Sequence, residues 1–202
     1  MTTNFLPTSF KAYKPLKVTV KSESIKRRLH RFPYRYRLAK AFSGIQDGKQ
    51  LGRSKAGYEA GMKVFLAYTA FEEIYDAAKQ LSNGKLPDVQ LAVRSNIELA
   101  KKIRSNARLK QLLLTNSNSK ELQKSIDNFY KCFNSDILCV AYIVRNTFAH
   151  GDFTAGGAGL NRKIDCETFN SIAEEVLFYS DKLFTNCVEE LERRQKKKWA
   201  IN

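Results

Sequence analysis

From residue 58 onward the apolar positions recur with the period of a helix. In YEAGMKVFLAYTAFEEIYDAAKQL, Val64, Phe65, Tyr68, Phe71, Ile74, Tyr75 and Ala78 follow the i, i+3, i+4, i+7 spacing that lines one buried side. This predicts a long amphipathic helix over 58–81, closed by the breaker SNGKLP. A second helix is predicted over 89–114, bent near Ser105 and Asn106 and polar outside, with Arg94, Lys101, Lys102, Arg104, Arg108 and Lys110. TNSNS supplies turn and capping chemistry, and a third helix follows over 120–133. Asn134, Ser135 and Asp136 offer an N-cap to ILCVAYIVRNTFAH, the most apolar segment of the chain, which belongs at the centre of a bundle. Gly151 ends that helix as the residue just past its C-cap. GDFTAGGAGLNRKI is a glycine-rich excursion, either a short hairpin or an ordered loop. The last helix, over 166–195 with Asp165 as candidate N-cap, buries Phe169, Ile172, Val176, Tyr179, Leu183, Cys187 and Leu191. Strand signals are weak and no repeat is present, so the expected fold class is all-α, a bundle of four or five helices.

Residues 1–57 follow no such period and are assigned to a basic N-terminal arm and loop, preceding a helical domain over 58–202. LKVTVKS alternates like a short strand, SIKRRLHRF reads as a short helix ended before Pro33, and 42–57, with four glycines, reads as a flexible loop. A chain of 202 residues is long enough to bury its core without metal or disulfide staples.

Charge changes the picture more than composition does. Thirty-five Lys and Arg against twenty Asp and Glu leave a formal +15, which suits a polyanionic partner such as RNA, DNA or an anionic membrane, the other reading being charge that serves solubility alone. Between Lys11 and Lys40 stand eleven basic residues and one acid, Glu23. Tyr13, Phe32, Tyr34 and Tyr36 are interleaved among them. Two explanations fit. Either the rings stack on RNA bases while Lys26, Arg27, Arg28, Arg31, Arg35 and Arg37 meet phosphates, or the rings pin the arm to the body of the fold. Cys132, Cys139, Cys166 and Cys187 match no zinc spacing and form no CxxC, and are read as reduced, mostly buried thiols of a cytoplasmic protein. No run reaches the roughly 18–20 apolar residues of a membrane span, and MTTNFLPTSFKAYK lacks the apolar core of a secretory signal. No metal or cofactor site is expected.

The candidate chemistry lies in VRNTFAHGDFT. His150 is one of two histidines in the chain, and Arg145 and Asn146 precede it. A self-capping helix end would account for these residues without any substrate. They also suit RNA cleavage by the 2′-hydroxyl. An imidazole, with an unperturbed pKa of about 6.5, can take or give the proton. A guanidinium binds two phosphorane oxygens, and an amide orients either group. At about 100° per residue, Asn146 and His150 share a helix face, whereas Arg145 and His150 lie about 140° apart. They converge only if the helix unwinds near Gly151 or if a second subunit supplies half of the site. The need for both an acid and a base favours a homodimer with the site at its seam.

RNTFAH, an arginine, a polar residue and a histidine at the end of an apolar helix, resembles the Arg-x4-6-His signature of the HEPN superfamily (higher eukaryotes and prokaryotes nucleotide-binding domains). The resemblance covers about 58–192. It implies a HEPN-like helical bundle, a dimer-borne site and metal-independent endoribonuclease activity, with Arg145, Asn146 and His150 on the motif positions. It also implies a toxin or phage-defence role, often beside a nucleotidyltransferase-type antitoxin. An acidic residue of the earlier long helix often supports such a site, here Glu72 or Glu73. The GDFTAGGAGLNRK excursion either lines an RNA path with Thr154 and Arg162 or is plain surface. The basic segment before Gly57 lies outside the implied core. The rival expectation is a HEPN-like module that binds RNA or protein without catalysis.

Overall fold

Amphipathic period and side-chain caps together delimit the elements. A computed structural model describes residues 5–46, 48–82, 96–155 and 160–199. Among these it contains eight α-helices and no strand: α1 Phe10–Leu16, α2 Glu23–Ala41, α3 Lys55–Leu81, α4 Ile97–Ser105, α5 Ala107–Thr115, α6 Lys120–Tyr130, α7 Ile137–Ala149 and α8 Lys163–Trp199. Ser22, Asn96, Asn106, Ser119 and Asp136 each accept a backbone N–H through the side chain and so start α2, α4, α5, α6 and α7. The all-α expectation holds. The count exceeds five because the polar second helix divides at Asn106 and because two helices precede residue 57.

The bundle is built around α3, which packs along α2, α7 and α8. Its Val64, Phe71, Ile74 and Ala78 are buried as the spacing requires, and the seven predicted positions of α8, from Phe169 to Leu191, are buried as well. α8 begins at Lys163, so Asp165 is not its N-cap. Its buried carboxylate instead accepts from Asn106 at 2.8 Å and from Arg162 at 2.9 and 3.1 Å. The Asn106 side-chain oxygen meanwhile caps α5. One residue thus ends α4, starts α5 and ties the break to α8.

The N-terminal segment corrects the sequence reading. LKVTVKS holds a 3-10 turn at Lys17–Thr19, not a strand. α2 runs through Pro33 to Ala41, because Leu29, Phe32, Tyr36 and Ala39 form a buried stripe whose packing outweighs the hydrogen bond that proline cannot make. α1 is tied to α8 through Thr8 on Asp181 and by Tyr13 against Phe184, with ring centroids 5.5 Å apart. Residues 8–41 therefore belong to the same core as the rest. The loop expected at 42–57 contains a 3-10 segment, Gly48–Ser54, and the first residues of α3.

The glycine-rich excursion is anchored. Phe153 is buried among Tyr58, Phe148 and Phe169, and Ala155 and Leu160 are buried beside it. Two glycines of α3 make room. A Cβ at Gly61 would come within 2.8 Å of the Phe153 ring, and one at Gly57 within 2.6 Å of the Leu160 carbonyl oxygen. Residues 156–159 of the excursion, and 89–95 of the predicted second helix, lie outside the described residues. The thiols are free. Cys139 and Cys187 are buried and Cys166 partly so, but Cys132 is exposed, at a left-handed φ of 62° just after α6. Among the described residues, no helix is long and apolar enough to cross a membrane.

Candidate functional site

α7 is held at the centre by Ile137, Val140, Ala141, Ile143 and Val144, all buried, and it carries Arg145 and Asn146 on its last turns. Its end is a Schellman turn. The Gly151 N–H donates to the Phe148 carbonyl at 3.2 Å and the Asp152 N–H to the Thr147 carbonyl at 3.0 Å. Gly151 takes φ +78°, the left-handed conformation that such a turn demands. The chain stays helical through His150, at φ −87° and ψ −1°, and leaves the helix only afterwards. Unwinding therefore does not bring His150 round to Arg145 within one chain.

Arg145 reaches across to α3. Its Nη2 pairs with Glu72 Oε2 at 3.1 Å, and its Nη1 donates to Asn146 Oδ1 at 2.9 Å. Its Nε is buried and finds no acceptor among the described residues. The pair lies near the surface, with Arg145 28% and Glu72 36% exposed. Exposed pairs of this kind contribute about 0–1 kcal/mol, so an incoming anion can take Glu72's place at little cost. Tyr68 borders the pair. Burial raises its phenol pKa, and the Glu72 carboxylate raises it further while Arg145 opposes. Its ring packs against that of Tyr142 at 5.7 Å between centroids.

His150 is exposed at the helix tip, and among the described residues no hydrogen bond or ion pair joins its imidazole to Arg145 or Asn146. Thr154 is exposed beyond it. Arg162, its suggested companion, is engaged with Asp165.

The two adjacent acids of α3 separate cleanly. Glu73 turns to α2 and is buried, pairing with Arg35 at 3.1 Å and Arg28 at 3.5 Å. Arg28 also pairs with Asp76 at 2.9 Å, and Arg35 donates to the Thr69 carbonyl at 3.2 Å. Glu72 alone supports Arg145. The cations proposed for RNA divide likewise. Arg28 and Arg35 bind α2 to α3, Lys26 pairs with Glu23 at 3.1 Å, and Arg27, Arg31 and Arg37 stand exposed. Of the interleaved rings, Tyr13, Phe32 and Tyr36 are buried and only Tyr34 faces outward. Pinning thus describes three of the four.

Sequence reading missed Tyr68, which its helical period assigns to packing. It also missed a groove of about 720 Å³ lined by Val20, Lys21 and Ile25 from one end of the chain and Leu191, Arg194 and Lys197 from the other. Residues so far apart leave no local pattern. Among the described residues no cluster of His, Cys, Asp and Glu is placed to hold a metal ion. No family model, curated protein or solved structure matches the chain.

Proposed function

We propose that the chain is a metal-independent endoribonuclease of HEPN type, with a toxin or phage-defence role and a site completed across a homodimer. The observation that carries this is the Arg145–Glu72–Asn146 cluster at the surface end of α7, one turn from the exposed His150. Neither the guanidinium nor the imidazole is sealed in the core. Arg145 presents Nη1 and Nη2 to partners near the surface, Asn146 and Glu72, which a phosphate could displace, as suits a group that must stabilise a developing phosphorane charge. His150 would move protons between the 2′-hydroxyl and the leaving 5′-oxygen, and Asn146 would orient the phosphate. The regular helix holds Arg145 and His150 on different faces, so the facing subunit would bring the complementary groups.

The non-catalytic alternative is favoured by one observation: Arg145 is already paired with Glu72, and among the described residues the His150 imidazole makes no hydrogen bond or ion pair with Arg145, Asn146 or Glu72. In that case the chain binds RNA, or an antitoxin-like protein, without cutting. Incubation with total RNA in EDTA separates the two. Cleavage by the parent and its loss in His150→Ala and Arg145→Ala support the enzyme. Binding without cleavage assigns the module. Sedimentation at micromolar concentration tests the shared site, and a strict monomer would overturn it.

A further inference from the structure

The geometry points to a separate binding site on the outer face of α2, built for single-stranded RNA, with Tyr34 as the stacking platform and Arg27, Arg31 and Arg37 as phosphate contacts. This site does not depend on catalysis at Arg145 and His150.

The argument begins with what α2 does not need for folding. Its inner stripe, Leu29, Phe32, Tyr36 and Ala39, is buried, and Arg28 and Arg35 on its flank are spent on the acids of α3. The opposite face is left. At about 100° per residue, Arg27, Arg31, Tyr34 and Arg37 fall within about 120° of one another, on the side away from the core. The three arginines are exposed, with no hydrogen bond or ion pair among the described residues. The acid of that side, Glu23, is occupied by Lys26.

Tyr34 is 64% exposed, and an edge-to-face contact with His30, centroids 5.4 Å apart, steadies its ring while leaving most of it open. A large ring held open among three free guanidinium groups is not explained by packing. It matches the chemistry of single-stranded nucleic acid, in which cations follow the backbone and rings stack on unpaired bases. Arg27 and Arg37 are ten residues apart, about 15 Å along the axis, so the face spans a few nucleotides. A duplex hides its base faces and would leave Tyr34 unused. An anionic membrane would need a continuous apolar face, and among the described residues of α2 Leu38 is the one exposed large aliphatic side chain.

The test uses the full chain carrying His150→Ala, so that the probe survives whether or not the parent cleaves, and a fluorescein-labelled oligouridylate titrated in EDTA at several salt concentrations. The combined substitution Arg27→Ala/Arg31→Ala/Arg37→Ala should weaken binding and reduce the slope of log K against log salt by about 2, at roughly 0.7 per lost contact. Arginine-to-lysine changes at the same positions should keep the slope. Tyr34→Ala should weaken binding roughly five- to a hundredfold with the slope unchanged, and Tyr34→Phe should restore it. All of these positions are exposed, so circular dichroism should report an unchanged fold. Unaltered affinity in both alanine variants would overturn the assignment. So would tighter binding to the matching duplex, or binding to phosphatidylserine vesicles with none to the oligouridylate. Failure of the cleavage assay would leave this site untouched, and failure here would leave the nuclease proposal untouched.

Discussion

Glu72 and Glu73 are neighbours in sequence, yet their removal should have opposite consequences. Glu73 is 7% exposed and holds Arg35 and Arg28 at 3.1 and 3.5 Å. Removing one member of a fully buried pair costs about 3–5 kcal/mol. The two arginines are 41% and 33% exposed and would regain water, which reduces the expected loss for Glu73→Gln to about 1–3 kcal/mol. Glu72→Gln breaks a pair whose members are 36% and 28% exposed, and it should cost about 0–1 kcal/mol. In a domain of this size each kcal/mol moves Tm by about 2–4 °C. Urea unfolding followed by far-ultraviolet circular dichroism reads the difference directly, provided the m-values agree. RNA cleavage should rank the two the other way. Glu72→Gln alters it by freeing Arg145, while folded Glu73→Gln retains it. Equal losses of stability, or a larger loss for Glu72→Gln, would refute the division of labour between the two carboxylates.

Four further substitutions test the packing, one backbone conformation and a buried carboxylate. Gly57→Ala should cost about 1–3 kcal/mol despite the better helix propensity of alanine, because the new Cβ meets the fixed carbonyl of Leu160 at 2.6 Å. Gly61→Ala, whose Cβ meets the Phe153 ring, should cost less, and thermal denaturation of both variants checks the order. Gly151→Ala meets nothing within 4 Å, so its cost is the left-handed φ of 78° alone, about 1–2 kcal/mol in the same assay. At Asp165, burial pushes the carboxyl pKa up, but hydrogen bonds from Arg162 and Asn106 outweigh it and hold the group below the usual carboxylate range. A carboxyl so depressed stabilises the fold above its unfolded pKa of about 3.9 and loses that contribution as pH falls through its folded value. Asp165→Asn should therefore flatten the acid limb of the stability curve, and an unchanged limb would contradict the assignment.

The parts of the fold that were legible in the sequence are those whose burial has a period. Val64 to Ala78 and Phe169 to Leu191 announce α3 and α8, and Gly151 announces the end of α7. α2 is hidden in the sequence for a physical reason. Leu29, Phe32, Tyr36 and Ala39 form a helical stripe, but the charges around them and Pro33 within them suggest a solvated arm broken at the proline. The charges that hold α2 in place find their partners on α3: Arg28 pairs with Glu73 forty-five residues away, a separation no local pattern encodes. At the candidate site, the residue types and their helix end were legible. The choice between Glu72 and Glu73 was not, since adjacent residues on a helix point about 100° apart and only the position of α2 decides which of them is taken.

The nuclease proposal is tested most directly by the chemistry of the fragment ends. Attack by the 2′-hydroxyl, with Arg145 on the phosphorane and His150 moving protons, must leave 2′,3′-cyclic phosphate and 5′-hydroxyl termini. Mass spectrometry of a defined single-stranded RNA, digested in EDTA by the parent and by folded Arg145→Ala and His150→Ala, should find those ends for the parent alone. Identical fragments from all three proteins, or fragments carrying 5′-phosphate, would contradict the proposal.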